Sequence, residues 1–141
     1  MQVFVPYPEP FKVVECLDRT RRWKQFAEVK QILDAIEGRS NGWKNHPITK
    51  MWTPYKEWLR CYRNCFDMWF SGNNVMARSW SEEADFIRPS FLTEAFCDQH
   101  KSRLFTKAPV LYPQFAEYGK SDENWYFVDG KIVKYINGKR I

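Results

Sequence analysis

The stretch Leu17-Asp18-Arg19-Thr20-Arg21-Arg22-Trp23-Lys24-Gln25-Phe26-Ala27-Glu28-Val29-Lys30-Gln31-Ile32-Leu33-Asp34-Ala35-Ile36 decides the fold class. Phe26, Val29, Leu33 and Ile36 recur at steps of three and four, which aligns one apolar stripe for burial and predicts a helix, with Asp18 as its N-cap. At roughly 100° per residue, Arg21, Lys24, Gln25, Glu28 and Gln31 fall on the opposite side. A single carboxylate therefore stands among cations on a face that core packing does not use. Two readings stay open here. The face is a solvated one in which Lys24 and Glu28 make an ordinary i,i+4 pair, or Glu28 is an acid or base inside a groove that holds a polyanion.

Outward from this helix, prolines at 6, 8 and 10 forbid a continuous helix at the start of the chain, so residues 1–10 should run extended and lay Val3 and Phe4 on the body. A short helical turn, Phe11 to Leu17, should precede the main helix. Gly38 to Asn45 reads as a loop. Met51, Tyr55, Trp58, Tyr62, Phe66 and Trp69 then recur at helical steps, predicting a second long helix over 48–70 with an aromatic stripe. Pro54 lies inside it, so this helix should kink or restart there. A short acidic helix is expected over 79–86, and a third main helix over about 89–107, where Arg103 and Lys107 share a face. Near the end, Trp125-Tyr126-Phe127-Val128 and Lys131-Ile132-Val133-Lys134-Tyr135-Ile136 flank Asp129-Gly130, a hairpin signal. The expected fold is mainly all-α: a compact single domain of three main helices, with an extended N-terminal segment and a small C-terminal β-hairpin.

The length of 141 residues suits one domain. Twenty-two Lys and Arg against 17 Asp and Glu give a net charge of +5, and the aromatic share is 18%. That combination fits nucleic acid, whose phosphates attract cations and whose unstacked bases lie on ring faces, and it equally fits a mildly basic protein with a Trp-rich core. Cys16, Cys61, Cys65 and Cys97 form no C-x-x-C pair, so no zinc or iron–sulfur spacing is present and no metal is expected. No apolar run reaches the ~18 residues of a membrane span, and no basic-then-apolar leader opens the sequence. Four thiols without such a leader are expected to stay reduced in a cytoplasm.

Four ordered blocks resemble the pyrimidine-dimer DNA glycosylase family, also called the endonuclease V family, and its bacterial and phage relatives more than its best-known phage member. The first block is Val3-Phe4-Val5-Pro6-Tyr7-Pro8, and the second is Leu17-Asp18 with Lys24-Gln25 and Glu28-Val29-Lys30-Gln31-Ile32-Leu33. The third is Gly42-Trp43-Lys44-Asn45-His46-Pro47 with Met51-Trp52 and Tyr55. The fourth is His100-Lys101-Ser102-Arg103-Leu104 with Lys107, Pro109, Tyr112 and Phe115. The resemblance implies a glycosylase-like helical domain over 1–120 and a C-terminal extension over 121–141. It also implies base excision with a strand-nicking lyase activity on double-stranded DNA, without metal or cofactor, by a monomer with no membrane attachment. The expected setting is the cytoplasm of a bacterial or phage-infected cell, on the nucleoid.

By the same resemblance, Glu28 takes the place of the family's catalytic glutamate, and Arg103 and Lys107 fall on DNA-contacting basic positions. Tyr118-Gly119-Lys120 fall at the end of its aromatic segment. The family's nucleophile is the α-amino group at the mature N-terminus. Residue 2 is Gln, too large for efficient removal of the initiator Met, so Met1 is expected to supply the amine, or Gln2 if Met1 is removed. Ala27 stands where the best-known member has an arginine.

An α-amino group titrates at ~7.7–8.0, so part of it is neutral near pH 7 and can attack a sugar carbon. Lys24 and Lys30 are the fallback amines. Arg19, Arg21, Arg22, Lys24, Arg103, Lys107 and Lys120 are the candidate phosphate contacts. Asn45, His46 and Tyr118 are candidate site-lining residues, with His46 equally placed to orient a loop or cap a helix. Two other functions remain open: a helical DNA-binding module without catalysis, and a glycosylase for a hypermodified base.

Overall fold

Asp18 opens the helix predicted around Glu28. Its side chain accepts from the Arg21 N–H, it accepts a short hydrogen bond from the Tyr112 hydroxyl, and its own N–H donates to that hydroxyl at 3.0 Å. In the computed structural model, which describes residues 2–84 and 86–141, the helices are α1 (Pro10–Cys16), α2 (Arg19–Ile36), α3 (Pro47–Trp52), α4 (Lys56–Phe70), α5 (Asn74–Glu83) and α6 (Glu94–Lys107). A three-stranded antiparallel sheet, β1 (Glu123–Val128), β2 (Lys131–Ile136) and β3 (Lys139–Arg140), follows in the order β1-β2-β3. The fold is mainly α, as expected. None of the helices among the described residues is long and apolar enough to cross a membrane.

The expectation of three main helices is corrected to six α-helices among the described residues. The break expected at Pro54 is there: having no N–H to donate, Pro54 cannot continue the α-helical ladder, and residues 47–70 form α3, a 3-10 turn at Thr53–Tyr55, and α4 restarting at Lys56. The acidic helix begins at Asn74 instead of Ser79 and stops at Glu83. The last helix begins at Glu94 instead of near Pro89, because the Thr93 side chain accepts from the Phe96 N–H and caps it there. The hairpin also gains a third strand. Asp129-Gly130 and Asn137-Gly138 both have positive φ at both residues, the geometry that turns a twisted strand directly back on itself.

Helix α4 is the centre of the packing, in contact with α1, α2 and α5. Its buried stripe continues from Trp52 as a row of rings, Trp52–Trp58–Tyr62–Phe66, with centroids 5.0, 5.2 and 4.7 Å apart. Trp58, Tyr62 and Phe66 of this row belong to the expected aromatic stripe and are core, while Tyr55 and Trp69 of that stripe are half-buried and Trp52 joins from outside it. Strand β1 packs on α3 and α6, and Tyr126 and Val133 join the same hydrophobic cluster.

Val3, Phe4 and Val5 run extended and buried, as the prolines required. Side chains from three helices satisfy the backbone of this segment. Phe4 N–H donates to Gln25 Oε1 of α2 at 3.0 Å, and Phe4 O accepts from the Tyr62 hydroxyl of α4 at 3.2 Å. Val5 N–H donates to His100 Nδ1 of α6 at 2.9 Å. A buried strand without sheet neighbours must find its partners this way, since an unpaired backbone amide costs about 1–3 kcal/mol.

Candidate active site

The polar face of α2 meets the start of the chain and the C-terminal half of α6 in a recess of about 130 Å³, lined by Gln2, Phe4, Lys24, Glu28, Arg103, Lys107 and Asn124. Ligand cavities for whole small molecules run to ~300 Å³ or more, so this space is too small to enclose one. Three cations and one carboxylate share it.

Glu28 is half-buried. Burial raises its pKa above the ordinary value, and Lys24, a hydrogen bond from the Gln2 backbone N–H and Lys107 oppose this without cancelling it. Lys107 is lowered, first by burial and then by the charges of Arg103, Lys24 and Arg21, with Glu28 acting the other way. Burial thus disfavours the charged form of both the acid and the amine, as suits groups that take up and release a proton. Arg103 donates to Ser121 O at 2.8 Å, so it also ties α6 to the segment leading into β1.

Gln25 departs from expectation. Its place opposite the apolar stripe predicts a face that packing does not use, yet it is 2% exposed, with Nε2 donating to Gln2 O at 2.8 Å and to Glu28 Oε2 at 3.1 Å. The residues that cover it are those of the extended N-terminal segment, which helical periodicity alone does not see.

Of the sequence-predicted residues, Gln2, Lys24, Glu28, Arg103 and Lys107 come together. Met1 lies outside the described residues. Arg21 does not line the recess: it pairs with Asp18 at 3.1 Å, although its charge reaches Lys107. Arg22 donates to Val14 O and Glu15 O and lies over the Trp69 ring, so it holds α1 to α2. Arg19 is exposed and borders a separate hollow with Trp23, Trp69 and Phe70. Lys30, a fallback amine, is paired with Asp34 at 2.8 Å on an exposed face and is not in the recess.

Asn45, His46, Tyr118 and Lys120 do not line it either. His46 caps α3, its Nδ1 accepting from Ile48 N–H at 3.0 Å, and its ring lies edge-on between Trp43 and Tyr126. Tyr118 packs instead beside Lys101, whose Nζ is 4.9 Å from its ring centre. Asn45 and Lys120 are exposed. Phe4, Gln25 and Asn124 are the residues at this site that sequence reasoning did not assign to it. For Gln25 there was a signal: it precedes Glu28 by three, one turn away on the same face. For Asn124 there was none.

No curated protein and no solved structure matches the chain. The family model described as pyrimidine dimer DNA glycosylase matches residues 1–67, the part that contributes Gln2, Phe4, Lys24, Gln25 and Glu28 to this site, and bears out over that part the family resemblance read from the sequence.

Proposed function

We propose that the protein is a DNA glycosylase with strand-nicking lyase activity on damaged pyrimidines, working from the recess at Glu28. The observation that carries this reading is the recess that brings residue 2 beside a half-buried carboxylate among Lys24, Arg103 and Lys107, with Gln25 bonded both to Gln2 O and to Glu28. An amine at the chain start would attack the sugar C1′. The new C–N bond forms as the glycosidic C–N bond breaks, and the base leaves with its electron pair and takes up a proton. Opening of the sugar ring gives an imine. Loss of a proton from C2′ then expels the 3′ phosphate and nicks the strand. Glu28, with its raised pKa, takes up and returns protons through these steps and stabilises the cationic intermediate. Reaching C1′ requires kinking or flipping at a cost of a few kcal/mol that is smaller at a damaged step. The three cations suit the phosphates on either side.

Borohydride reduction on a duplex carrying an abasic site tests the reading. A covalent protein–DNA adduct that disappears when the N-terminus is blocked is the expected result. DNA binding with no adduct would instead make this a binding module without catalysis. A second reading of the nucleophile has its own support, since Lys107 lines the recess and burial lowers its pKa. An adduct that survives N-terminal blocking and is lost in Lys107→Met would favour that amine. Cleavage of a panel of duplexes with pyrimidine dimers and with modified pyrimidines separates a dimer enzyme from one specific for a hypermodified base.

A further inference from the structure

We infer that Gln25 is a positioning residue that fixes the start of the chain against Glu28, an inference that rests on the function proposed above for its catalytic meaning. The Phe4 N–H can be met only by the amide oxygen of Gln25, and that bond, at 3.0 Å, settles which way the amide faces. Both hydrogens of Nε2 are then committed, one to Gln2 O at 2.8 Å and one to Glu28 Oε2 at 3.1 Å. Gln2 and Glu28 line the same recess. Gln25 thereby bridges the two from a buried position, with 2% of the residue exposed.

Because Gln25 and Glu28 lie one turn apart on α2, the distance between them is set by the helix. The Gln25 amide transfers that fixed geometry to residue 2. It also supplies an N–H donor to Glu28, in a recess that Lys24 of α2 and Arg103 and Lys107 of α6 share. Among the buried polar side chains, Gln25 is the one whose every donor hydrogen goes to either the chain start or the candidate acid.

Two variants separate positioning from mere folding. Gln25→Glu keeps an acceptor for Phe4 N–H but removes both donors and adds a like charge beside Glu28. Gln25→Met keeps the volume and removes every bond. In both, the rate of borohydride-trapped adduct formation should fall about tenfold or more, while the Kd for the abasic duplex changes less than about threefold, since a misplaced reacting group costs rate before binding. The Glu28 carboxyl, followed by ¹³C NMR in the free protein, should titrate higher in both variants than in the wild type. Wild-type rates in both variants, or a Glu28 titration that does not move, would overturn the inference. A wild type that forms no adduct sinks the proposed lyase function instead, and the NMR titration then still decides whether Gln25 holds Glu28.

Discussion

Burial lifts Glu28 above its ordinary value of 4.5 although Lys24, the Gln2 amide and Lys107 all pull it down. A carboxyl whose folded pKa lies above its unfolded one favours the native state below the unfolded value, and that contribution disappears as pH rises through the folded value. At neutral pH the ionised acid is therefore a cost to the fold. Glu28→Gln should raise Tm at pH 7 and leave it unchanged at pH 4, while abolishing strand nicking; calorimetry at the two pH values checks this. His100 behaves in the opposite sense. Its Nδ1 accepts from Val5 N–H, so the neutral ring carries its proton on Nε2, and burial, with Arg103 behind it, pushes the pKa from 6.5 down to about 3. Below pH 6.5 the unfolded chain takes up a proton that the native ring refuses, so this contribution is present above 6.5 and is lost as pH falls toward about 3. Urea titrations across pH 6.5 to 4 should show stability falling more steeply in the wild type than in His100→Gln.

Helix α2 carries Lys24, Gln25 and Glu28, so whatever fixes its first turn fixes the candidate site. Asp18 caps that turn while Tyr112, 94 residues away, donates to it. The capping and Tyr112 bonds, with the Arg21 pair, hold the Asp18 carboxyl below the usual range despite its burial. Asp18→Ala should cost about 1–2 kcal/mol, read from the urea midpoint at unchanged m. Helix α2 and the first hairpin were legible because their signals are local: a stripe at helical steps in one, Asp-Gly between β-prone runs in the other. Helix α5 was legible only in its second half, because Val75 and Met76 of its first turn are exposed while Ala77 and Ser81 are buried, so its first apolar residues do not mark the buried side. The start of α6 was misplaced because Pro89 fits a first turn by type, whereas the Thr93 hydroxyl sets it by geometry. Glu28, Lys24, Arg103 and Lys107 were legible as charges in a resembling pattern. The burial of Gln25 was not, since it depends on residues 2–4 crossing over a helix that begins 17 residues after residue 2.

Across the whole molecule the net charge of +5 is modest, and the three cations gathered at the recess against one carboxylate are what would steer a duplex to it. If Lys24, Arg103 and Lys107 meet phosphates, the slope of log K against log salt should become shallower by about 0.9 for each contact removed. Fluorescence anisotropy with an undamaged duplex from 50 to 200 mM salt, comparing wild type with Lys107→Met, measures this; an unchanged slope would remove Lys107 from the interface. Residue 5 bonds to residue 100, and residue 2 shares its recess with residue 124. In refolding, then, residues 2–5 have nowhere to settle until residues 100–124 have packed, and reactivity toward DNA should recover no earlier than the near-UV signal of the packed core.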